Sequence, residues 1–481
     1  MNGEPAQVPP GRKGRRLKTV ALIVVGLIAL CFVYHLSLSL SIQGRIDAIH
    51  RAGFPVTWVE LDKWYARPPS GENAADVYRE AFAHFETWTN KPAQLSTPSD
   101  ADNKSKFSSR PRSKRDLLPV VGMAVLPPRP EPLPAEMRQL VADYLADNAE
   151  AVRLLHRAAT MKSCRYPVDL AKGFATPLHH LNSIRQAARL LFLEALQDTE
   201  QQQPQEAVES VAVSLGVAGS LDQEPELISQ LVRIACQGIT VDSLERVLSR
   251  MALTDEQLAK LATALEESED PQAMTRAFVG ERCCGAGFFE NARRGKFPFE
   301  EIGGADNQWL SVRPLSALYR ATGLLELDEE SYLDLMEQDV KATQLPPPEN
   351  MAAARALDDE VNHVARWCMF SRMLLPALDK AVVKAARCDA KMRDAQTAIA
   401  VERYRLANGR LPNQLRDLTP TFLPAVPADP FDGKPLRYKP LAKGYVVYSV
   451  GEDREDNGGT EKNAKGQSYV PGTDITFIVE R

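Results

Sequence analysis

The sequence predicts a mainly α-helical protein with an N-terminal single-pass membrane helix, a body of helical hairpins and a small C-terminal α+β unit. Three observations support this fold class: an uncharged apolar run near the start, repeated amphipathic patterns in the middle, and three strand-like runs near the end. The 481 residues are long enough for two or three domains. A net charge of -5 gives no reason to expect nucleic acid as a partner.

The first 42 residues have the pattern of a membrane anchor. Residues 1–18 form a basic tail, and residues 19–42 contain no Asp, Glu, Lys or Arg. About 20 such residues span a hydrocarbon core of ~30 Å, and a basic flank stays in the cytoplasm. We therefore predict a bacterial inner-membrane protein with a cytoplasmic N-terminus and a periplasmic bulk. A cleaved signal peptide is the alternative, with Ser37-Leu38-Ser39 supplying the small residues of a cleavage site.

Two further segments precede the helical body. Residues 43–88 are interpreted as a stalk and first helices, with a capping-box pattern at Thr57–Glu60 and a helix over Asn73–Trp88. Residues 89–134 are rich in proline and contain a basic run from Lys104 to Arg115. This pattern favours a solvated loop, and a contact with a polyanion or a lipid is the alternative.

Residues 135–375 are predicted to form a helical body, in which short connections imply antiparallel neighbours. The run of hairpins is helical repeat-like, although no fixed period is present. A glycine-rich stretch, Gly285–Arg313, is predicted to be irregular. The predicted helices are Met137–Met161, Thr176–Gln197, Glu206–Ser220, Glu224–Arg250, Asp255–Glu267, Pro314–Met336 and Ala352–Leu374.

Residues 376–481 are predicted to form an α+β unit. A long helix, Leu378–Leu406, leads to a C-cap pair at Asn408-Gly409, followed by a short helical turn. Three strand-like runs then form an antiparallel meander. Because so small a sheet is not stable alone, the long helix must complete its core. The predicted strands are Leu436–Tyr438, Tyr445–Val450 and Ile475–Val479.

Several motifs in this unit occur in the same order in a known family. They are Tyr404-Arg405-Leu406 with Asn408–Pro412, the turn Asp429-Pro430-Phe431-Asp432-Gly433, Tyr448–Asp453, and Asp474-Ile475. In this order the unit resembles the globular head of type II secretion major pseudopilins. The resemblance covers about a fifth of the chain and implies the head fold and docking to a secretion-type or envelope assembly.

The same resemblance implies a calcium site in the loop after the second strand. By position the ligands would be Asp453 and Asp474, with Asp456 as a further candidate. Hard carboxylate oxygens suit calcium, which takes six to eight of them. A solvated turn formed by these acids with Asn457-Gly458-Gly459 is the alternative.

The whole chain is also similar to membrane-anchored helical envelope proteins of planctomycete-type bacteria. This likeness depends on Thr57-x-x-Glu60-Leu61, on Gly71–Ala75 and on Glu226–Arg233. It implies the same architecture and brings no activity.

Few residue patterns point to a reaction. Glu360-x-x-His363 occurs once, whereas a di-iron bundle needs that pair twice. Of His179-His180, we expect one side chain to pack and the other to be exposed, and Arg282-Cys283-Cys284-Gly285 is interpreted as buried small residues. The seven cysteines match no zinc or small disulfide pattern, so buried thiols and disulfides both stay open.

These observations favour a non-enzymatic, membrane-anchored envelope protein that acts as a scaffold or interaction module for protein partners, and no pattern identifies a small-molecule substrate. The alternative is an exported hydrolase with a site near His179, His180 or the Gly285–Arg313 loop. A third hypothesis is a soluble, calcium-dependent binding module released by signal cleavage.

Overall fold

The structure is a computed structural model that describes residues 12–68, 72–89, 113–295, 313–375, 378–460 and 473–481. Within these residues the protein is mainly helical, with a three-stranded antiparallel sheet near the C-terminus, as the sequence predicts. Of the basic run from Lys104 to Arg115, the residues up to Arg112 lie outside the described residues, and Lys114 and Arg115 lie in a short 3-10 helix, Lys114–Leu117. The chain divides into unit 1, formed by Met1–Thr57, Arg282–Gln338 and Asp359–Pro376, and unit 2, formed by the remainder.

The α-helices follow one another with short connections. In chain order they are α1 (Arg12–Arg51), α2 (Trp58–Trp64), α3 (Ala74–Ala83), α4 (Ala135–Asp147), α5 (Ala149–Ala159), α6 (His180–Glu200), α7 (Pro204–Gly219), α8 (Leu227–Arg250), α9 (Asp255–Glu267), α10 (Ala273–Arg293), α11 (Arg313–Ala321), α12 (Leu324–Thr343), α13 (Glu349–His363), α14 (Met369–Leu374) and α15 (Leu378–Asn408).

Unit 1 contains α1, a single uninterrupted helix of 40 residues. The predicted anchor and stalk therefore form one element, which ends where Gly53 adopts a left-handed backbone (φ 84°). Its apolar N-terminal half is exposed, from 40% at Tyr34 to 73% at Leu22. In its C-terminal half, Leu38, Ile42 and Ile49 are buried along one stripe.

The core of unit 1 is aromatic. Phe370 lies with its ring centroid 4.9 Å from that of Phe288 and 5.6 Å from that of Tyr319, and Phe289 and Tyr332 are 5.4 Å apart. The prediction of an irregular segment from Gly285 is wrong over residues 285–293, which continue α10. A Cβ at Gly285 would collide with the Tyr332 ring, so the glycine permits close packing there. Residues 296–312 of that segment lie outside the described residues.

Unit 2 contains the hairpins of the helical body. Helix α6 packs against α7 and α8, and α7 packs against α8 and α9. Three predicted helices are each divided in two: Met137–Met161 into α4 and α5, Pro314–Met336 into α11 and α12, and Ala352–Leu374 into α13 and α14. Helices α4 and α5 are separated at Asn148, whose side-chain amide donates to the Tyr144 carbonyl at 2.9 Å. The Asn148 Oδ1 accepts from the Glu86 amide at 2.9 Å. Asn148 therefore links the break between α4 and α5 to the segment that follows α3.

The sheet of unit 2 is a meander of β1 (Arg437–Leu441), β2 (Gly444–Ser449) and β3 (Ile475–Glu480). Val447 of β2 lies opposite Tyr438 of β1 and Phe477 of β3. One face, including Tyr445, Val447 and Phe477, packs on α15 in a core shared with residues of α7, α8 and α9. The sheet thus gains its core from several helices.

Helix α8 covers the outer edge of β3. The Ile478 amide donates to Glu245 Oε1 at 2.6 Å, and the Glu480 amide donates to Ser249 Oγ at 3.3 Å. Residues four apart on a helix are separated by about 6 Å along its axis, and residues two apart on a strand by about 6.8 Å. The helical spacing therefore matches the outward-pointing amides, and this edge is not exposed for pairing.

Candidate functional site

The predicted calcium ligands lie in a turn that follows β2. Asp474 Oδ2 accepts from the Gly459 amide at 2.7 Å, and its Oδ1 accepts from the Asn457 amide at 3.2 Å. Asp456 Oδ1 accepts from the Gly458 amide at 2.9 Å and from the Tyr448 hydroxyl at 3.1 Å. Two of the three predicted acids therefore close the turn through backbone amides.

The third acid, Asp453, accepts from the Glu455 amide at 3.0 Å. Burial raises the pKa of Asp474, and the charges of Asp456 and Asp453 add to this, so the acids lie near one another. Among the described residues, which exclude 461–472, no three acidic, histidine or cysteine side chains are placed to share one metal ion. These residues do not assemble the six to eight oxygens of a calcium site, and calcium stays a prediction.

Asp429 organises the same end of the sheet, a role that the sequence analysis missed. Its carboxylate is fully buried and accepts from the Phe431 amide at 2.9 Å, the Ser449 hydroxyl at 2.8 Å and the Val450 amide at 2.9 Å. Arg437 adds an ion pair at 2.5 Å. The sequence showed a turn at Asp429 through the Asp-Pro-Phe-Asp-Gly pattern. It gave no local signal for the contacts of Asp429 with Ser449 and Val450, which lie 20 and 21 residues away.

His180 begins α6 and is part of a buried polar network. Its Nε2 lies 3.0 Å from both carboxylate oxygens of Glu224, and its ring stacks on Tyr166 with centroids 4.3 Å apart. Ser229 Oγ donates to Glu224 Oε1 at 2.5 Å. His179 is exposed and His180 is mostly buried, so the expected division between the two is confirmed.

The order of groups in this network bears on the hydrolase hypothesis. A serine nucleophile is activated by a histidine that contacts its hydroxyl, with a carboxylate behind the histidine. Here the carboxylate of Glu224 lies between His180 and Ser229, and both Glu224 and Ser229 are fully buried. The arrangement joins α6 to α8 and positions no nucleophile for a substrate.

A cavity of about 890 Å³ lies in unit 2, between α7, α9 and the segment that follows α5. Small residues of α7 line it, at Ala212, Gly216 and Gly219. Some of its charged side chains are already paired, since Lys260 contacts Glu209 and Asp222 contacts Arg233. The cavity is therefore a mixed surface of small, neutral and ion-paired groups.

Cys164 is the thiol that faces this cavity. Burial raises its pKa to about 12, and the Glu224 carboxylate contributes in the same direction. The thiolate is the reactive form of cysteine, so Cys164 is a weak nucleophile at neutral pH. Its thiol is free, as are those of Cys31, Cys236, Cys368 and Cys388.

The Arg282-Cys283-Cys284 motif lies within α10 in unit 1. The Arg282 side chain is fully buried, pairs with Glu337 at 2.6 Å and donates to the Pro55 carbonyl at 3.3 Å. The Cys283 thiol donates to the same carbonyl at 3.3 Å. Both cysteines are buried, as expected, and the motif holds the chain that follows α1. His363 is exposed and contacts its own helix at the Asp359 carbonyl, 2.7 Å away.

The C-terminal half of α1 is joined to α12 by charged groups. Arg45 donates to both carboxylate oxygens of Asp334, at 2.7 and 2.8 Å, and lies 3.2 Å from Glu330. His35 lies 3.3 Å from Glu326. The residue farther along α1 pairs with the acids farther along α12, so the two helices run in the same direction. A stalk was predicted here, and the only sequence signal for the contact is the i, i+4, i+8 spacing of the three acids.

Gly323 lies at the turn before α12, against the end of the apolar run. Its backbone is left-handed (φ 77°), and a Cβ there would lie 2.6 Å from a ring carbon of Tyr34 and 3.0 Å from a methyl carbon of Leu38. The His35 Nε2 lies 3.2 Å from the Ala321 carbonyl oxygen. The turn between α11 and α12 therefore contacts α1 over Tyr34–Leu38.

Helix α1 is the one described helix that is long and apolar enough to cross a membrane. Its segment Lys18–Arg51 contains a window of mean hydropathy 2.5, none of which is buried. Comparison of the chain with protein-family models, curated proteins and solved structures finds no match.

Proposed function

We propose that this protein is a non-enzymatic scaffold of the bacterial envelope, fixed in the inner membrane by α1, with its N-terminus in the cytoplasm and both units in the periplasm. The observation that carries the proposal is that α1 passes without a break from an exposed apolar half into a half that is buried and ion-paired within unit 1.

The exposed half of α1 argues for a lipid environment. Leu22, Ile28 and Leu30 are each at least 64% exposed, and no charged residue interrupts the run. Burial of apolar area is worth about 25 cal/mol per Å², so leaving a helix of this kind in water is costly. A bilayer removes that cost, and the basic flank sets the direction of insertion.

The buried half of α1 argues against a disposable leader. Cleavage near Leu40 would remove the contact of His35 with Glu326 and the packing of Leu38 at Gly323. A signal peptide is discarded before the mature fold is complete, whereas these residues belong to the fold of unit 1. Retention of the helix is therefore favoured.

The scaffold role draws on unit 2. Its sheet on α15 has the element order that the pseudopilin resemblance implies, so docking of this region to a secretion-type or envelope assembly is part of the proposal. The cavity beside α7 and the His180 network offer no activated nucleophile among the described residues, which favours binding over hydrolysis.

Membrane fractionation tests the anchor. The full-length protein should stay with inner membranes through alkaline extraction, and N-terminal sequencing should begin upstream of Thr19. External protease applied to spheroplasts should digest both units and spare the N-terminal tail. A mature chain that starts near Leu40, or release by alkali, would overturn the proposal.

Affinity purification from solubilised membranes tests the scaffold role. Envelope proteins should co-purify in fixed ratio with the full chain. A protein that is recovered alone and that hydrolyses ester or peptide substrates would instead support the hydrolase hypothesis.

A further inference from the structure

Unit 1 exposes a group of large apolar side chains on α11 and around α14. Leu318 is 59% exposed, Trp367 39%, Met369 42% and Met373 38%. Three of the four fall within seven residues of sequence. Clustered exposure of this kind marks an interaction surface more often than scattered apolar residues do. We call these four residues the interfacial patch.

Two contacts fix the level of the interfacial patch along α1. The Tyr319 hydroxyl, next to Leu318, lies 2.6 Å from the Trp367 carbonyl oxygen. Two residues later, the Ala321 carbonyl oxygen lies 3.2 Å from the His35 ring. Both parts of the patch are therefore tied to the neighbourhood of His35.

On the proposed anchoring, His35 lies near the periplasmic end of the membrane-spanning part of α1. The uncharged run begins at Thr19, and at 1.5 Å per residue the helix rises about 30 Å by Leu38. That distance equals the thickness of a hydrocarbon core. The contacts at Tyr34, His35 and Leu38 therefore place the patch at the periplasmic boundary of the bilayer.

The two helices that carry the interfacial patch are held together by a buried carboxylate. Asp328 is fully buried, and its carboxylate accepts from the Phe370 amide at 2.8 Å and the Ser371 amide at 3.0 Å, at the start of α14. The Tyr319 hydroxyl lies 2.6 Å from the same carboxylate. One acid thus fixes both α11 and α14, so the patch is formed before it meets a partner.

We propose that the interfacial patch is a second membrane contact, which inserts into the headgroup region of the periplasmic leaflet beside α1. Tryptophan favours this region because its ring is apolar and its N–H is polar. Arg366 and Arg372 are exposed in the same segment and would attract anionic phospholipids. The inference rests on the proposed anchoring, and it adds that unit 1 lies on the bilayer.

Fluorescence in vesicles tests this contact. The full-length chain is reconstituted in phosphatidylethanolamine with phosphatidylglycerol, part of which carries bromine near the headgroup end of its acyl chains. Trp367 is one of five tryptophans, so up to about a fifth of the emission should be quenched through it. The Trp367→Phe variant should lose this quenched component.

A matched variant and a second substitution complete the experiment. Trp58→Phe should keep the quenched component, because Trp58 belongs to unit 2 and not to the interfacial patch. The substitution keeps an aromatic ring and breaks no hydrogen bond, since the Trp58 indole N–H has no partner among the described residues. Met369→Gln with Met373→Gln alters exposed positions and should reduce the quenching of Trp367. Equal quenching in the wild type and in Trp367→Phe would overturn the inference.

Alkaline extraction of the same vesicles separates the two proposals. Release of the chain by alkali would refute the anchor itself. A chain that resists extraction while Trp367 stays unquenched would keep the anchor and refute only the interfacial patch.

Discussion

Asp394 lies on α15, in the interior of unit 2. It is fully buried, and neither of its carboxylate oxygens has a hydrogen-bond partner among the described residues. Burial raises its pKa well above the usual range, and the charges of Asp429 and Glu245 add to this against the opposing effect of Lys391 and Arg437. The fold therefore favours the protonated, uncharged form of Asp394.

Replacing Asp394 with asparagine should stabilise the protein at high pH. An acid with a higher pKa in the folded state takes up a proton on folding, so its contribution falls as pH rises above the unfolded value of about 4. Asp394→Asn removes that loss. Urea unfolding should give the variant a larger free energy of unfolding than the wild type at pH 8, with a smaller difference at pH 5.

The opposite sign is expected at Asp255. Its hydrogen bonds with Arg403 lower its pKa, so its charged form favours the folded state above the unfolded pKa. Asp255→Asn should therefore lower the free energy of unfolding at pH 8.

The Asp394 prediction has its own contradicting outcome. If the free energy of unfolding of Asp394→Asn depends on pH as that of the wild type does, the fold does not raise the pKa of Asp394.

Asp474 allows the turn and the calcium prediction to be separated. Asp474→Ala removes the acceptor of two backbone amides, which costs about 1–3 kcal/mol for each group left unsatisfied. Its midpoint in thermal unfolding should fall, and by the same amount with and without a chelator. Asp453→Ala, which loses one exposed contact, should fall by less.

A bound ion would change that result. A ligand that binds only the folded state raises its stability, so calcium would make the wild type sensitive to chelator and Asp474→Ala insensitive. Such a difference would establish a calcium site that includes Asp474.

At the scale of elements, hydrogen bonds between α8 and β3 join the helical body to the sheet. Glu245 is mostly buried and serves two partners: the Ile478 amide at 2.6 Å and the Arg129 side chain at 2.6 Å. Burial raises the Glu245 pKa to about 7, against the effect of Arg129. One side chain therefore joins the helix, the sheet edge and the segment before α4.

Truncating Glu245 should release that edge. Glu245→Ala leaves the Ile478 amide and the Arg129 charge without their acceptor, at an expected cost of about 3–5 kcal/mol. Hydrogen exchange should accelerate at Ile478 and Glu480. Glu209→Ala, which breaks a half-exposed pair with Lys260, should cost only about 0–1 kcal/mol. Equal losses in the two variants would contradict this role of Glu245.

The whole molecule should be more stable in mild acid than in mild base. Burial raises the pKa of several carboxyl groups from about 4 toward neutrality, and each such group binds a proton on folding. Stability therefore falls as pH rises through these values. The groups are Asp198, Glu245, Glu281, Glu329 and Asp339, each at about 7, and Glu226, at about 8.

Thermal unfolding from pH 6 to pH 8.5 checks the prediction. The midpoint should decline across this range, most steeply at its acid end, and should level off above about pH 8, where these groups have lost their protons in the folded state as well. A midpoint that rises steadily would mean that carboxylates with lowered pKa, such as Asp432 beside Arg437, dominate instead.

The sequence predicted what local chemistry determines. Helix α9 has the predicted bounds because Thr254 and Gln257 form a capping box, and α15 ends at Asn408 before a left-handed Gly409. Contacts distant in sequence were not predictable. Arg45 meets Asp334 across 289 residues, and the Ile478 amide meets Glu245 across 233. At Gly285, packing on Tyr332 overrode the local pattern.

The covered edge of β3 has a consequence for assembly. Proteins that grow into fibres by lending a strand to a neighbour need a row of backbone groups with nothing opposite them. In this chain Glu245 and Ser249 already occupy that row. A neighbour must therefore be recognised by side chains, and joining copies end to end through this edge would first require α8 to be pulled away.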